Sequence, residues 1–319
     1  LPIWAAFVTS GDVTNPLVCT AGATSSEESA VEKLKLAISN GGTVQLTEDI
    51  EITQTLYVER SMTLDLNGHV LKMTGDGSVL RVEEGPHPVT LTITDSRSDT
   101  SHEDKTLPAG GVITGGKGPY VTGIYYVGGA VFLEKDTTLK LEGGTLTGNS
   151  GSSIYIGGAT LVMSGGTITG ETVGVYNNVG TFTMTGGRIT GCSDRGVYVY
   201  NGNMTMSGTA YIGENPNARR EDIYVYESDH KHTDLSVTGG TIAGKVRIVF
   251  LESLGPTQDN LRAAANSVVK EQGVFDGHIK VEKGTSGTCV DYNSVNFIDE
   301  VAKTRTLKLV LQPYAVEKP

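Results

Sequence analysis

Through the middle of the chain, hydrophobic and polar residues alternate in runs of a few positions that end at glycine or asparagine, as in Met62-Thr63-Leu64-Asp65-Leu66, Thr90-Leu91-Thr92-Ile93-Thr94 and Leu161-Val162-Met163. A period of two puts successive side chains on opposite faces of a strand. Runs this short predict strands and leave no room for helices. One helical pattern stands apart near the start, where Val31, Leu34, Ala37 and Ile38 share a face. Ser25 or Ser26 can cap it and Gly41-Gly42 can stop it, which predicts a helix over about 27–39.

The alternation is repetitive. Gly110-Gly111-Val112-Ile113-Thr114-Gly115 recurs as Gly143-Gly144-Thr145-Leu146-Thr147-Gly148, Gly165-Gly166-Thr167-Ile168-Thr169-Gly170 and Gly186-Gly187-Arg188-Ile189-Thr190-Gly191. Looser copies start at Gly208 and Gly239, and the starts lie 33, 22, 21, 22 and 31 residues apart, a basic period of about 22. Three strands of about four to five residues and three corners fit one coil of a parallel β-helix, whose strands pair with those of the coils above and below. Glycines belong at the corners, where positive φ or close backbone approach is required. The segments 62–73 and 90–94 carry the alternation without the Gly-Gly signature and predict earlier, less regular coils.

A stack of coils must cover its ends, or it exposes both core and strand edges. The helix at the start is the expected N-terminal cap. After Gly244 the period dissolves into a helical stretch over 258–271 and strand-like pieces over 274–281 and 306–311, the expected C-terminal cap. The chain thus divides into 1–45, a leading segment and capping helix; 46–250, the coils; and 251–319, the closing cap.

Composition narrows the class. Of 319 residues 42 are Gly, about 13% against a usual share of about 7%. Lys and Arg number 25 against 36 Asp and Glu, a formal charge of -11, which is the wrong sign for nucleic acid. Cys19, Cys192 and Cys289 show no metal-ligand spacing, so no metal or cofactor is expected. The apolar opening over residues 1–8 is far shorter than a membrane span, and no basic segment or initiator Met precedes it. No membrane insertion is expected, and the chain reads as a processed piece of a longer protein. Asp65-Leu66-Asn67-Gly68 reads as a turn rather than a calcium loop, and His87, His230 and His232 as loop histidines.

The segment 41–50, Met62-Thr63-Leu64-Asp65-Leu66-Asn67-Gly68-His69 and the Gly-Gly-Thr-Ile-Thr-Gly coils resemble the secreted or cell-surface right-handed β-helix domains of bacteria, particularly the large repeat-bearing surface proteins of Gram-positive gut bacteria. The resemblance spans roughly 27–245. It implies an all-β, single-stranded right-handed parallel β-helix in an extracellular setting. That group mixes adhesins, glycan-binding domains, polysaccharide lyases and glycosidases, so fold leaves function open. The Asn-Thr-Asp, Asp-Asp, His-Gly and Arg-Ile-Lys series of the galacturonases does not occur here; Lys245-Val246-Arg247-Ile248 is a superficial echo.

Aligning the coils on their glycines places Tyr155, Tyr176, Tyr198 and Tyr224 in one column, each central to an apolar-Tyr strand, with Phe132 one coil earlier. Their neighbours face inward, so these rings face outward, and Tyr200 and Tyr226 begin a second outward column. Insertions over 116–129, with Tyr120, Tyr125 and Tyr126, and over 214–221 enter at the corner before this strip and would flank it like walls. The strip is expected to be either a stabilising aromatic ladder or a platform binding glycan or another host-surface ligand. Asp194 and Arg195 are expected to form cross-coil ion pairs with Arg220 and Glu221. The alternative is a carbohydrate-active enzyme, a glycosidase or lyase, with Asp194 working beside Glu214, Glu171 or Asp222 as acid and base about 5 to 9.5 Å apart.

Overall fold

In the computed structural model, residues 29–120, 126–214, 222–227, 235–237 and 239–243 are described, together with the strand backbones Leu17–Val18, Val246–Phe250, Ile279–Lys283 and Tyr292–Ser294. Strands follow one another in a repeating cycle through three sheets, of nine, eight and ten strands. Each strand pairs in parallel with its counterpart one cycle later, for example Leu139 with Leu161, Leu146 with Ile168 and Tyr155 with Tyr176. The chain is therefore a parallel β-helix, with eight coils between Gly42 and Phe250. The first sheet opens at Gly42–Gln45, the second at Ile50–Ile52 and the third at Leu56–Val58.

Register stacks like on like. In the second sheet Ile50, Leu71, Ile113, Leu146, Ile168, Ile189, Ile212 and Ile242 form one buried column through all eight coils. In the first sheet Val44, Leu64, Ile93 and Leu141 give way to Met163, Met184 and Met206 and then Val237. Thioether side chains fill the space that branched residues leave. A slip of one residue would turn each column out to solvent, so the apolar alternation holds the register.

The corner glycines do what their pattern implies. Gly187 has φ 79°, and a Cβ added there would lie 2.5 Å from the carbonyl oxygen of Gly165 in the coil below. Asn67 and Gly68 adopt φ 48° and 74°, and the Asp65 carboxylate accepts the Asn67 N–H at 2.9 Å, so this segment is a turn. Burial by itself would raise the Asp65 carboxyl, but hydrogen bonds from Gln45, Ser96 and Asn67 outweigh it and hold the group below the usual carboxylate range.

The capping helix is Ala30–Asn40, three residues later than the pattern predicts. Ser29, rather than Ser25 or Ser26, is the N-cap: its hydroxyl accepts the Glu32 N–H at 3.3 Å, satisfying a donor of the first turn. Gly41, with φ 74°, ends the helix as expected. Leu34 and Ile38 are fully buried and Val31 and Ala37 partly so, all against the first coil. Leu17–Val18 extends the first sheet by pairing with Val44 and Gln45. At the other end the third sheet continues through Ile279–Lys283 and then Tyr292–Ser294, which pairs antiparallel. The segments 258–271 and 306–311 lie outside the described residues.

Candidate functional site

The outer face of the third sheet carries the aromatic column, in the register the glycine alignment predicts: Phe132, Tyr155, Tyr176, Tyr198 and Tyr224 are successive partners. Tyr200 pairs with Tyr226 in the second column, above Asn178. The rings form a cluster of their own outside the β-helix core, joined by Val127 and Val173. Centroids are 4.7 Å apart for Phe132 and Tyr155, 5.5 Å for Tyr155 and Tyr176, 4.7 Å for Tyr176 and Tyr198, and 5.1 Å for Tyr198 and Tyr224. The first pair is tilted, the third stacked, and the second and fourth edge to face, geometries that aromatic quadrupoles favour.

The middle of this ladder is covered. Tyr155, Tyr176 and Tyr198 are 9%, 3% and 8% exposed, while Phe132, Tyr200, Tyr224 and Tyr226 are half-buried. The Asn178 amide donates to the Tyr155 hydroxyl at 2.7 Å. Arg195 lies across the rings of Tyr198 and Tyr224, 5.2 and 4.2 Å from their centroids. Burial, reinforced by neighbouring Tyr176 and Tyr224, pushes the Tyr198 hydroxyl far above its ordinary range, so it stays protonated. The accessible rings are at the edges, where Tyr200 and Tyr226 stack at 5.2 Å with planes 11° apart.

Two further members of the column escaped the sequence pattern. Tyr57 and Arg81 continue it below Phe132, and Arg81 stands 4.8 Å over the Phe132 ring while pairing with Glu134. Leu56-Tyr57-Val58 repeats the apolar-Tyr-apolar pattern of Ile154-Tyr155-Ile156, but its coil lacks the glycine signature that aligned the others.

The candidate carboxylates cluster at the corner between the second and third sheets, each engaged by the protein. Asp194 pairs with its chain neighbour Arg195, Oδ2 to Nη1 at 2.8 Å. An adjacent guanidinium can fold back onto the carboxylate with no strand spacing to cross; Arg220 and Glu221 lie outside the described residues. Glu171 is buried and accepts the Asn149 backbone N–H at 3.0 Å and its amide at 3.1 Å. Burial outweighs those bonds and raises its pKa to about 8. Nearby Cys192 is a buried thiol, pushed up to about 12 by burial and then by Glu171. Asp222 is buried as well. Glu214 is exposed, accepting from Arg188 at 3.3 Å and from the Tyr211 hydroxyl at 3.1 Å beside a guanidinium-over-ring contact of 4.0 Å. Asp194, Glu171 and Asp222 are buried while Glu214 is exposed, and the bonds of Asp194, Glu171 and Glu214 tie the corner together.

Of the two insertions, 116–129 does enter between the second- and third-sheet strands of its coil, while 215–221 and Tyr125 lie outside the described residues. Among the described residues no group of three or more His, Cys, Asp and Glu is placed to hold a metal, and no helix is long and apolar enough to cross a membrane. In comparisons with known proteins the chain matches no family model, no curated protein and no solved structure, so its own residues carry the functional argument.

Proposed function

We propose that this chain is an extracellular, adhesin-like recognition domain of a bacterial surface protein that binds glycan along the aromatic face of its third sheet. The observation that carries the reading is the division within the ladder. Tyr155, Tyr176 and Tyr198 are buried and rigidify the face, while the half-buried rings of Tyr200, Tyr224 and Tyr226, with Phe132 at the opposite end, line its edge. Stacked tyrosines with few rotatable bonds present flat apolar area at low entropic cost, and their hydroxyls supply hydrogen bonds, which suits the C–H faces and hydroxyls of sugars.

The test is a glycan array probed with the intact chain and with the double change Tyr200→Ala and Tyr226→Ala. Loss of two ring contacts at about 1 kcal/mol each should weaken binding roughly tenfold or more, with little change in melting temperature because both rings are half-exposed. Equal binding by the double variant would remove these rings from the site. Release of reducing ends or unsaturated products from array-positive glycans would move the protein into the enzyme class.

A further inference from the structure

Among the described residues the large hydrophobic side chains left exposed are Leu36, Tyr57, Tyr120, Tyr126 and Val179. The three tyrosines, 52%, 60% and 38% exposed, all belong to the first three coils, far along the sheet from the Tyr200–Tyr226 edge. They are linked. Tyr57 lines a cavity of about 590 Å³ between the capping helix and the first coils, with Lys35, Ile38, Gln54, Thr55, Leu56 and Asp76. Asp76 Oδ1 lies 3.6 Å from Lys117 Nζ, which stands 4.8 Å over the Tyr126 ring; Tyr126 in turn meets Tyr120 edge to face at 5.2 Å.

This corner is held in place. Lys117 exchanges two backbone hydrogen bonds with Gly77, at 3.0 and 2.7 Å, and the Val127 N–H donates to the Pro119 carbonyl at 3.0 Å, so the base of the loop is fixed to the second coil. A cavity of this size lies within the roughly 300–1,000 Å³ of small-molecule sites. Its lining combines a bare aromatic ring with a carboxylate, an amide and a hydroxyl, the groups that stack on a pyranose and bond its hydroxyls. Each cation nearby already has a carboxylate partner: Lys35 with Glu32 at 3.1 Å and Lys117 with Asp76. Arg81, the register partner of Tyr57, pairs with Glu83 and Glu134, so these three cations offer no uncompensated positive charge to draw a uronate.

We infer that the cavity at Tyr57 is a saccharide subsite for one uncharged pyranose residue of a glycan chain, whose next residues run past Asp76 and Lys117 onto Tyr126 and Tyr120. The inference rests on the reading that the protein binds glycan and not on where along the ladder it does so. Tyr57 takes the C–H face of the ring, and Asp76 and Gln54 take vicinal hydroxyls.

The experiment titrates the full chain with cellotetraose, mannotetraose, N-acetyllactosamine and tri-N-acetylchitotriose, with trigalacturonate as the charged control. Variants are Tyr57→Ala, Asp76→Asn, and the double change Tyr200→Ala and Tyr226→Ala. The expected result is binding of at least one neutral probe that falls roughly tenfold in each of the first two variants, as loss of an aromatic or charge-assisted contact would produce. Because Tyr57 and Asp76 are exposed, their variants should melt with the wild type. Wild-type affinity in both Tyr57→Ala and Asp76→Asn overturns the subsite, and if the Tyr200 and Tyr226 variant then loses binding, the glycan reading survives without it. Binding of trigalacturonate alone overturns the uncharged class. Failure of every probe to bind the wild type removes the glycan reading and this subsite together.

Discussion

A carboxyl side chain turned into the corner of a β-helix keeps its proton where a solvated one would lose it, and Glu171 is this protein's instance. Its carboxyl accepts the backbone and amide N–H groups of Asn149, and burial dominates those bonds, raising its pKa to about 8. In the unfolded chain the group titrates near 4.5. The folded state therefore binds the proton more tightly, so the stabilisation is complete below pH 4.5 and declines as pH rises toward 8, by at most a few kcal/mol. Glu171→Gln keeps an acceptor for the Asn149 N–H and cannot ionise. Its urea midpoint should change less between pH 5 and pH 8 than that of the wild type; an equal drop in both would show that Glu171 does not titrate in this window. In the sequence Glu171 is an acidic residue after a corner glycine and a candidate acid or base, with nothing in the pattern to say that it is buried. The side of the corner it faces depends on the turn, which no alternation encodes.

At the scale of the strand, the aromatic ladder was legible as a register and not as a surface. The apolar-Tyr-apolar pattern of Ile154-Tyr155-Ile156, Val197-Tyr198-Val199 and Ile223-Tyr224-Val225 says which way each ring faces, and the observed partners agree. It does not say that Tyr176 is buried, in one cluster with Val127, Val173 and the neighbouring rings. The consequence is measurable. Tyr176→Ala removes a ring between two others at 5.5 and 4.7 Å and should cost about 3 to 5 kcal/mol, as core aromatic truncations do. Tyr226→Ala, at the half-buried edge, should cost about 1 kcal/mol. Comparable small losses in both denaturant midpoints would mean that the ladder adds little to the coil. Tyr57 and Arg81 belong to the same column, but their coils lack the paired glycines, so the alignment that found the other rings passed over them.

Across the whole molecule the coils behave as a one-dimensional stack in which each contributes to stability through its neighbours. On its outer side the first coil pairs, among the described residues, with the short strand Leu17–Val18, and Ala30–Asn40 covers it by burying Leu34 and Ile38. Leu34→Ala should cost about 2 to 5 kcal/mol locally, and the loss should appear first near the cap. Hydrogen exchange should accelerate in the amides of Ile50–Ile52, Leu56–Val58 and the next coil while those of Thr160–Met163 and Thr181–Met184 change little. Uniform acceleration throughout would replace the stack with a single cooperative unit.

Periodicity alone determined the architecture, the corner glycines, the capping helix and the register of the third sheet, because each follows from repulsion or apolar burial within one coil and its neighbours. Tertiary structure decided the rest. The helix began at Ser29 because that hydroxyl, among three nearby serines, meets the Glu32 N–H. The tyrosines divided into buried and accessible ones, and a cavity opened at Tyr57, because exposure depends on what adjoining loops and the cap lay over a residue, a relation between segments far apart in the chain.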